Sequence, residues 1–235
     1  MTIEHKPRRH FHDELQYLQA RLMEMAGIVE RIVAEASEAV LTRDPSAKKS
    51  IKRADDRIDS LEVEIDALVM ELLALHQPMA SDLRQVIATN KVANDLERVG
   101  DHAVSMAKAA KRITKANPLP HLRELGEMVT ITRGMLSEAL ESFVTRNPTK
   151  ARIVCATDDK VDDLRSSLYR ILVTHMLEDP SLISGALNLL LVSQNLERIA
   201  DLSTNIAEDV VFLVEGRTIK HGADGYLGDE DDEED

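Results

Sequence analysis

The stretch Asn94-Asp95-Leu96-Glu97-Arg98-Val99-Gly100-Asp101 returns one hundred residues later as Gln194-Asn195-Leu196-Glu197-Arg198-Ile199-Ala200-Asp201. A second pair, Asp55-Asp56-Arg57-Ile58-Asp59-Ser60-Leu61 and Asp158-Asp159-Lys160-Val161-Asp162-Asp163-Leu164, returns at an offset of 103. Two blocks repeating in the same order at nearly the same offset read as an internal duplication with a small indel between them. Around both blocks the apolar residues keep a helical period almost without a break. Pro45, Pro78, Pro118 with Pro120, Pro148 and Pro180 cut the chain into six segments, roughly 11–43, 45–76, 78–113, 119–146, 148–177 and 180–214. A proline in the first turn of a helix costs no backbone hydrogen bond. Asp44 and Asn147, each just before a proline, are the expected N-caps of the second and fifth helices. Segments of about 25 to 35 residues make rods of about 40 to 50 Å, and short turns between such rods give antiparallel neighbours.

The expected fold is therefore all-α: six long helices in two tandem three-helix bundles, 1–116 and 117–220, with the boundary in the linker 114–120. Composition agrees, since aromatics are only 3% of 235 residues, with no Trp, three Tyr and three Phe. A β-sheet core would call for more aromatic and β-branched runs. The net charge is −13, and seven of the acids are the run 229–235, expected as the end of a disordered tail over 221–235. Without that run the charge is −6, too acidic for a nucleic-acid binder, which needs a basic face. Cys155 is alone, so no internal disulfide and no Cys/His zinc cluster forms, and a reducing compartment fits. The N-terminus carries charges where a signal peptide has its apolar core, and no apolar run reaches 18 residues, so a soluble cytoplasmic protein is expected.

The chemistry-bearing residues are carboxylates at helical spacing. On the third segment Leu83, Val86, Ile87, Asn90 and Asn94 share a face that continues as Glu97, Asp101 and Ser105, so two acids stand where the pattern calls for core. On the sixth, Ile183, Ala186, Leu187 and Leu190 continue as Gln194, Glu197, Asp201, Asn205 and Glu208, while Leu196, Ile199, Ile206, Val210 and Leu213 form the opposite, apolar side. Asp55 and Asp59 flank the seam Ile51, Ala54, Ile58, Leu61, Ile65, Leu68 and Leu72. Asp158 and Asp162 flank Val154, Val161, Leu164, Leu168 and Leu172 in the same way. Each half thus offers two i,i+4 acidic pairs, which oppose their own helices by a few tenths of a kcal/mol each unless something compensates. Oxygen-only donors at this density suit Mg, Mn, Fe or Ca. The plain alternative is a solvated acidic edge answered by Arg57, Arg98, Lys160 and Arg198.

Other chemistry has less support. His102 follows Asp101, but its repeat mate is Leu202. His76 and His175 stand at helix ends, where capping explains them. No GxSxG, P-loop or GxGxxG occurs, and no histidine has an acid three residues before it, against a di-iron oxidase.

Three pieces, Gln77-Pro78-Met79-Ala80-Ser81-Asp82-Leu83-Arg84, Asp95-Leu96-Glu97-Arg98-Val99-Gly100-Asp101-His102-Ala103 and Asn195-Leu196-Glu197-Arg198-Ile199-Ala200-Asp201, closely resemble the PhoU family of phosphate-transport accessory and regulatory proteins. The resemblance runs from about residue 11 to 217. It implies two three-helix bundles side by side and E(D)xxxD motifs holding clusters of divalent or trivalent metal ions (Fe, Mn, Mg or Zn). Matched motif by motif, those ligands fall on Asp55, Asp59, Glu97 and Asp101 in the first half and on Asp158, Asp162, Glu197 and Asp201 in the second. The family implies regulation without catalysis: a cytoplasmic homodimer that keeps the phosphate-starvation response off through a PhoR-like sensor histidine kinase and a PstB-like transporter ATPase. A carboxylate-bridged metalloenzyme, a bare helical scaffold, and a relative serving another phosphate pathway are the competing readings.

Overall fold

A computed structural model describes residues 6–219; the acidic run expected as a disordered tail lies outside the described residues. Among the described residues there are seven α-helices and one 3₁₀ turn: α1 (Lys6–Leu41), α2 (Lys48–His76), α3 (Ala80–Ile113), α4 (Arg123–Thr145), α5 (Pro148–Cys155), α6 (Asp158–Glu178), the turn Pro180–Leu182, and α7 (Ile183–Glu215). No strand occurs among the described residues, and no helix there is long and apolar enough to cross a membrane. The architecture is a helical bundle. Helices α1, α2 and α3 pack on one another, and α4, α5, α6 and α7 do the same, with α5 and α6 together in the place of α2.

Both halves end their first helix by the same device. Arg43 and Arg146 are repeat mates, and both adopt left-handed backbone, with φ of 56° and 51°. The amide after each reaches back to the last turn, Asp44 N to Ala39 O at 3.0 Å and Asn147 N to Ser142 O at 2.9 Å. This wraps up the orphan carbonyls of the helix end. The expected caps then diverge. Asn147 does cap α5, accepting from the Lys150 amide at 3.0 Å, with Pro148 in the first turn. Asp44 does not cap α2: it closes a turn by accepting from the Ser46 amide (2.9 Å) and hydroxyl (2.8 Å), and α2 begins later, at Lys48.

The fifth segment, expected as one helix, is two. It breaks at Ala156–Thr157, where the Thr157 hydroxyl bonds back to Ile153 O (2.8 Å) and its amide bonds Val154 O (3.0 Å), a tightened 3₁₀-type turn.

The largest interface in the molecule joins the halves through α3 and α7. Arg84 Nε donates to Leu213 O (3.3 Å), Lys91 Nζ pairs with Asp209 Oδ1 (3.1 Å), and His102 Nδ1 lies 2.9 Å from Asn195 Oδ1. Rising numbers on α3 meet falling numbers on α7, so the two helices run antiparallel about a pseudo-dyad near Val99 and Ile199. Serving α1, α2 and α7 at once, α3 is buried on most of its circumference, by small side chains: Ala88, Ala93, Gly100, Ala103, Ala107, Ala109 and Ala110 join Val92, Leu96, Val99 and Met106. This corrects the expected seam of α3. Leu83 is exposed and Ile87 half-buried, so the face they start is the outer one, and Glu97 and Asp101 continue that outer face. Alanines carry too little hydropathy to outvote two large aliphatics in a periodicity count.

The two faces predict different costs. Leu96→Ala removes a fully buried side chain of α3 and is expected to lower unfolding stability by about 2 to 5 kcal/mol. Leu187→Ala, on the exposed start of α7, is expected to stay within about 0.5 kcal/mol. Urea unfolding followed by circular dichroism checks both.

Candidate metal centre

The acidic pairs sit where two antiparallel helices of one half lie side by side. In the first half α2 supplies Asp55 and Asp59, and α3 supplies Glu97 and Asp101. Gly100 makes the approach close: a Cβ there would stand 3.2 Å from Asp55 Oδ1 and from Ile58 Cδ1. Asp55 is consequently only 3% exposed, held by Lys52 Nζ at 2.9 Å. Its repeat mate Asp158 is half-buried, and Ala200 stands at the repeat position of Gly100.

Electrostatics couples the four acids of each half. Burial, followed by the Asp101 and Asp59 charges, raises the carboxyl of Glu97 above its ordinary range. Burial and the Asp55 charge raise Asp59, against the pull of Lys52. In the second half burial, then Asp201 and Asp162, push Asp158 up to about 6. Burial and Asp201 raise Glu197, partly offset by Arg198 and Arg165. In every case the folded protein makes the charged form harder to hold, which a bound cation would reverse.

Of the four basic residues expected to answer these acids, two are engaged elsewhere. Arg57 turns to Glu24 on α1 (2.6 Å), and Arg98 to Asp95 (3.5 Å). Asp59, Glu97 and Asp101 have no basic partner among the described residues. The second half differs: Arg198 reaches Asp201 (2.9 Å) and Glu197 (3.5 Å), and Arg165 stands 3.9 Å from Glu197. Glu197 Oε2 is nevertheless buried without a hydrogen bond. Arg165 occupies the repeat position of Glu62, one of the charges acting on Glu97, so one site gains an acid where the other gains a guanidinium.

Asp59, Glu97 and Asp101, and a buried Glu197 oxygen that accepts no hydrogen bond, form donor sets suited to hard or borderline cations. As the side chains stand, no three His, Cys, Asp or Glu groups among the described residues converge tightly enough to hold an ion. His102 is not part of the set, being turned to Asn195 across the α3–α7 contact. His76 binds Glu14 (2.9 Å) beside Phe11, tying α2 to α1. Cys155 is half-buried and its thiol is pushed up to about 11, chiefly by burial, so it is no thiolate nucleophile. Two contributors escaped the sequence reading: Gly100, whose signal was its mismatch with Ala200, and Arg165, whose signal was its mismatch with Glu62.

A family model described as the PhoU domain matches the chain twice, at residues 22–110 and 125–210, and each match contains one set of four acids. The phosphate-specific transport system accessory protein PhoU homolog of Clostridium acetobutylicum is 35% identical over 213 residues, covering 90% of this chain and 97% of its own. The homolog from Pseudomonas aeruginosa is 35% identical over 224 residues, covering 94% and 91%. The crystal structure of PhoU from Pseudomonas aeruginosa superimposes with a TM-score of 0.85 at 36% identity, over 88% of this chain and all of that one. That of the phosphate transport system regulatory protein PhoU from Streptococcus pneumoniae gives 0.81 at 29%, over 88% and 98%.

The raised carboxyls fix a pH dependence. A carboxyl whose folded pKa exceeds its unfolded value adds stability as pH falls through the folded value, and that stability is lost as pH rises. Chelator-treated protein is therefore expected to melt at a higher temperature near pH 5 than near pH 7. Asp158→Asn should flatten this slope. Glu215, held down to about 2 by hydrogen bonds from Arg152, acts in the opposite sense but only below the ordinary carboxylate range. Thermal melts across that window, read by circular dichroism, check the slope.

Proposed function

The chain belongs to the PhoU family, and we propose that within a phosphate transport system it works as a metal-binding negative regulator of phosphate uptake and of the phosphate-starvation response. The observation that carries this reading is the match of both halves to the PhoU domain, together with relatives of about 35% identity whose names are phosphate-specific transport system accessory proteins. Those names describe an accessory role, and the Streptococcus pneumoniae structure is named a regulatory protein, which fits a protein that is not an enzyme. The protein works as an adaptor in the cytoplasm, as a homodimer, between a transporter ATPase and a sensor histidine kinase. A bundle of long helices with few aromatics suits that task, since its contacts spread along helix faces.

Metal ions are held by Asp55, Asp59, Glu97 and Asp101 and by Asp158, Asp162, Glu197 and Asp201. Fe, Mn, Mg or Zn would supply the positive charge that lets both members of each pair stay ionised. What supports this is the elevation of the Asp59, Glu97, Asp158 and Glu197 carboxyls by burial and by neighbouring acids, with the diversion of Arg57 and Arg98 to other partners. Arg165 and Arg198 weaken the second site relative to the first.

Deleting the gene is expected to raise alkaline phosphatase and transporter expression in phosphate-rich medium, with the intact gene restoring repression. Unchanged expression in the deletion strain would remove the regulatory reading. For the metal, Glu97→Gln is expected to lose more bound ion than Glu197→Gln, with far-UV helicity intact in both. Elemental analysis that finds equal, undiminished metal in the two variants would sink the ligand assignment.

A further inference from the structure

One end of the first half is basic in a protein of net charge −13. Residues 43–53 and 108–115 hold nine Lys or Arg and a single acid, Asp44. Helical spacing gathers them into two stripes. Lys49, Lys52 and Arg53 stand at i, i+3 and i+4 on α2, and Lys108, Lys111 and Arg112 stand at the same intervals on α3, with Lys115 in the turn beyond. Gly100 packs against Asp55 and Ile58, so α2 before Asp55 lies beside the antiparallel stretch of α3 after Gly100, and the stripes are neighbours. Arg43 fastens this end by donating to Ile113 O (2.6 Å) and Ala116 O (2.7 Å). From the level of Arg53 to that of Lys115 the strip is about 20 Å long at 1.5 Å per residue. Lys52 pairs with Asp55 and Asp56. Lys48, Lys49, Arg53, Lys108, Lys111, Arg112 and Lys115 have no acidic partner among the described residues, and all but the half-buried Lys48 are exposed.

The duplicated half has no such surface. The corresponding stretches, 146–156 and 208–215, hold three cations and three acids. All three cations are engaged: Arg146 with Gln85, Lys150 with Glu141 (2.5 Å), and Arg152 with Glu215 (2.8 Å). The basic strip is thus a property of the first half alone and not of the fold.

We propose that this strip rests on the headgroups of an anionic bilayer and holds the protein at a membrane surface without insertion. Charge complementarity carries the proposal, and the make-up of the strip selects a lipid surface over a protein partner. Five of the seven cations are lysines, a residue depleted at protein interfaces, and neither stretch contains an aromatic anchor. An ammonium is a compact point charge without the fork geometry that fixes one carboxylate, so it suits a diffuse array of phosphates. Clusters of four to eight such cations are what anionic leaflets attract. A strip about 20 Å long also exceeds the footprint of one small anion. The acidic centre sets the orientation. On α3 Asp101 precedes Lys108 by seven residues, about 10 Å, which is more than the screening length of about 8 Å at physiological salt. The same surface that attracts the strip repels Glu97 and Asp101, so the protein stands with the C-terminal end of α3 toward the lipid and the carboxylates turned away. This contact is separate from the regulatory and metal readings and can fail without them.

Cosedimentation of the full chain with vesicles tests this, with chelator present so that no metal ion bridges the acids to lipid. The expected result is partition onto phosphatidylcholine vesicles containing about one-third phosphatidylglycerol, none onto phosphatidylcholine alone, and release in about 0.5 M salt, where screening shortens to a few Å. Lys49→Gln, Lys108→Gln, Lys111→Gln and Lys115→Gln should each weaken partition about fivefold, and the four together at least a hundredfold, with far-UV helicity unchanged. Lys150→Gln with Lys160→Gln, in the second half, should leave it unchanged. Three results would overturn the proposal: no partition onto phosphatidylglycerol above that onto phosphatidylcholine; partition that survives all four substitutions; or an equal loss in the second-half variant. Tighter binding of soluble polyglutamate than of vesicles at equal anion concentration, lost in the same four substitutions, would assign the strip to an acidic protein segment and overturn it as well.

Discussion

The antiparallel contact of α3 with α7 is the constraint on which everything else in this molecule depends. Each helix is the innermost of its own half, so pressing them together leaves both with little exposed circumference. That geometry demands small side chains, which is why so many alanines are buried on α3. It also demands that the narrow strip left uncovered be polar. Glu97 and Asp101 occupy that strip on α3, and Glu197 and Asp201 occupy it on α7. A pseudo-dyad perpendicular to two adjacent antiparallel helices maps front onto front, so both strips open on the same side, at the same height.

The acids on those strips are held against their electrostatic preference, as the raised carboxyls of Asp59, Glu97, Asp158 and Glu197 attest. Packing is what holds them there. The seams of α2 and α6 bury Ile58, Leu61 and Ile65, or Val161, Leu168 and Leu172, and each such side chain contributes about 1.5 to 3 kcal/mol. Against this, repulsion within a helical pair is a few tenths of a kcal/mol. The fold therefore carries the concentrated charge with stability to spare, and the charge remains free to meet a cation.

Much of this was legible in the sequence because duplication makes local signals repeat. The two acidic blocks, the proline punctuation and the Asn147 cap are all short-range features, and the helices follow them closely. Three features were not legible, each for a physical reason. The buried face of α3 was hidden because alanine burial depends on what packs against it, not on its own hydropathy. The break at Ala156–Thr157 turns on a hydroxyl bond to Ile153 O, a choice between conformations that both look helical in sequence. The partners of Arg57 and Arg98 are set by rotamers, so the missing basic partners of Glu97 and Asp101 in the first half, and Arg165's approach to Glu197 in the second, emerge only with the folded structure.

The α3–α7 contact also gives a duplicated protein a way to tell its two halves apart. Its polar pair is heterotypic: Lys91 comes from the first half and Asp209, almost fully buried, from the second. Their repeat mates are Leu191 and Ala109. Two first halves joined through the same surface would set Lys91 against Ala109, and two second halves would bury Asp209 against Leu191, stranding a charge without its partner. The interface thus discriminates self from sister, and domain exchange between neighbouring chains is restricted to swaps that restore one half of each kind. Fusion of the two repeats into one polypeptide freed them to drift apart in sequence while making each the obligatory complement of the other.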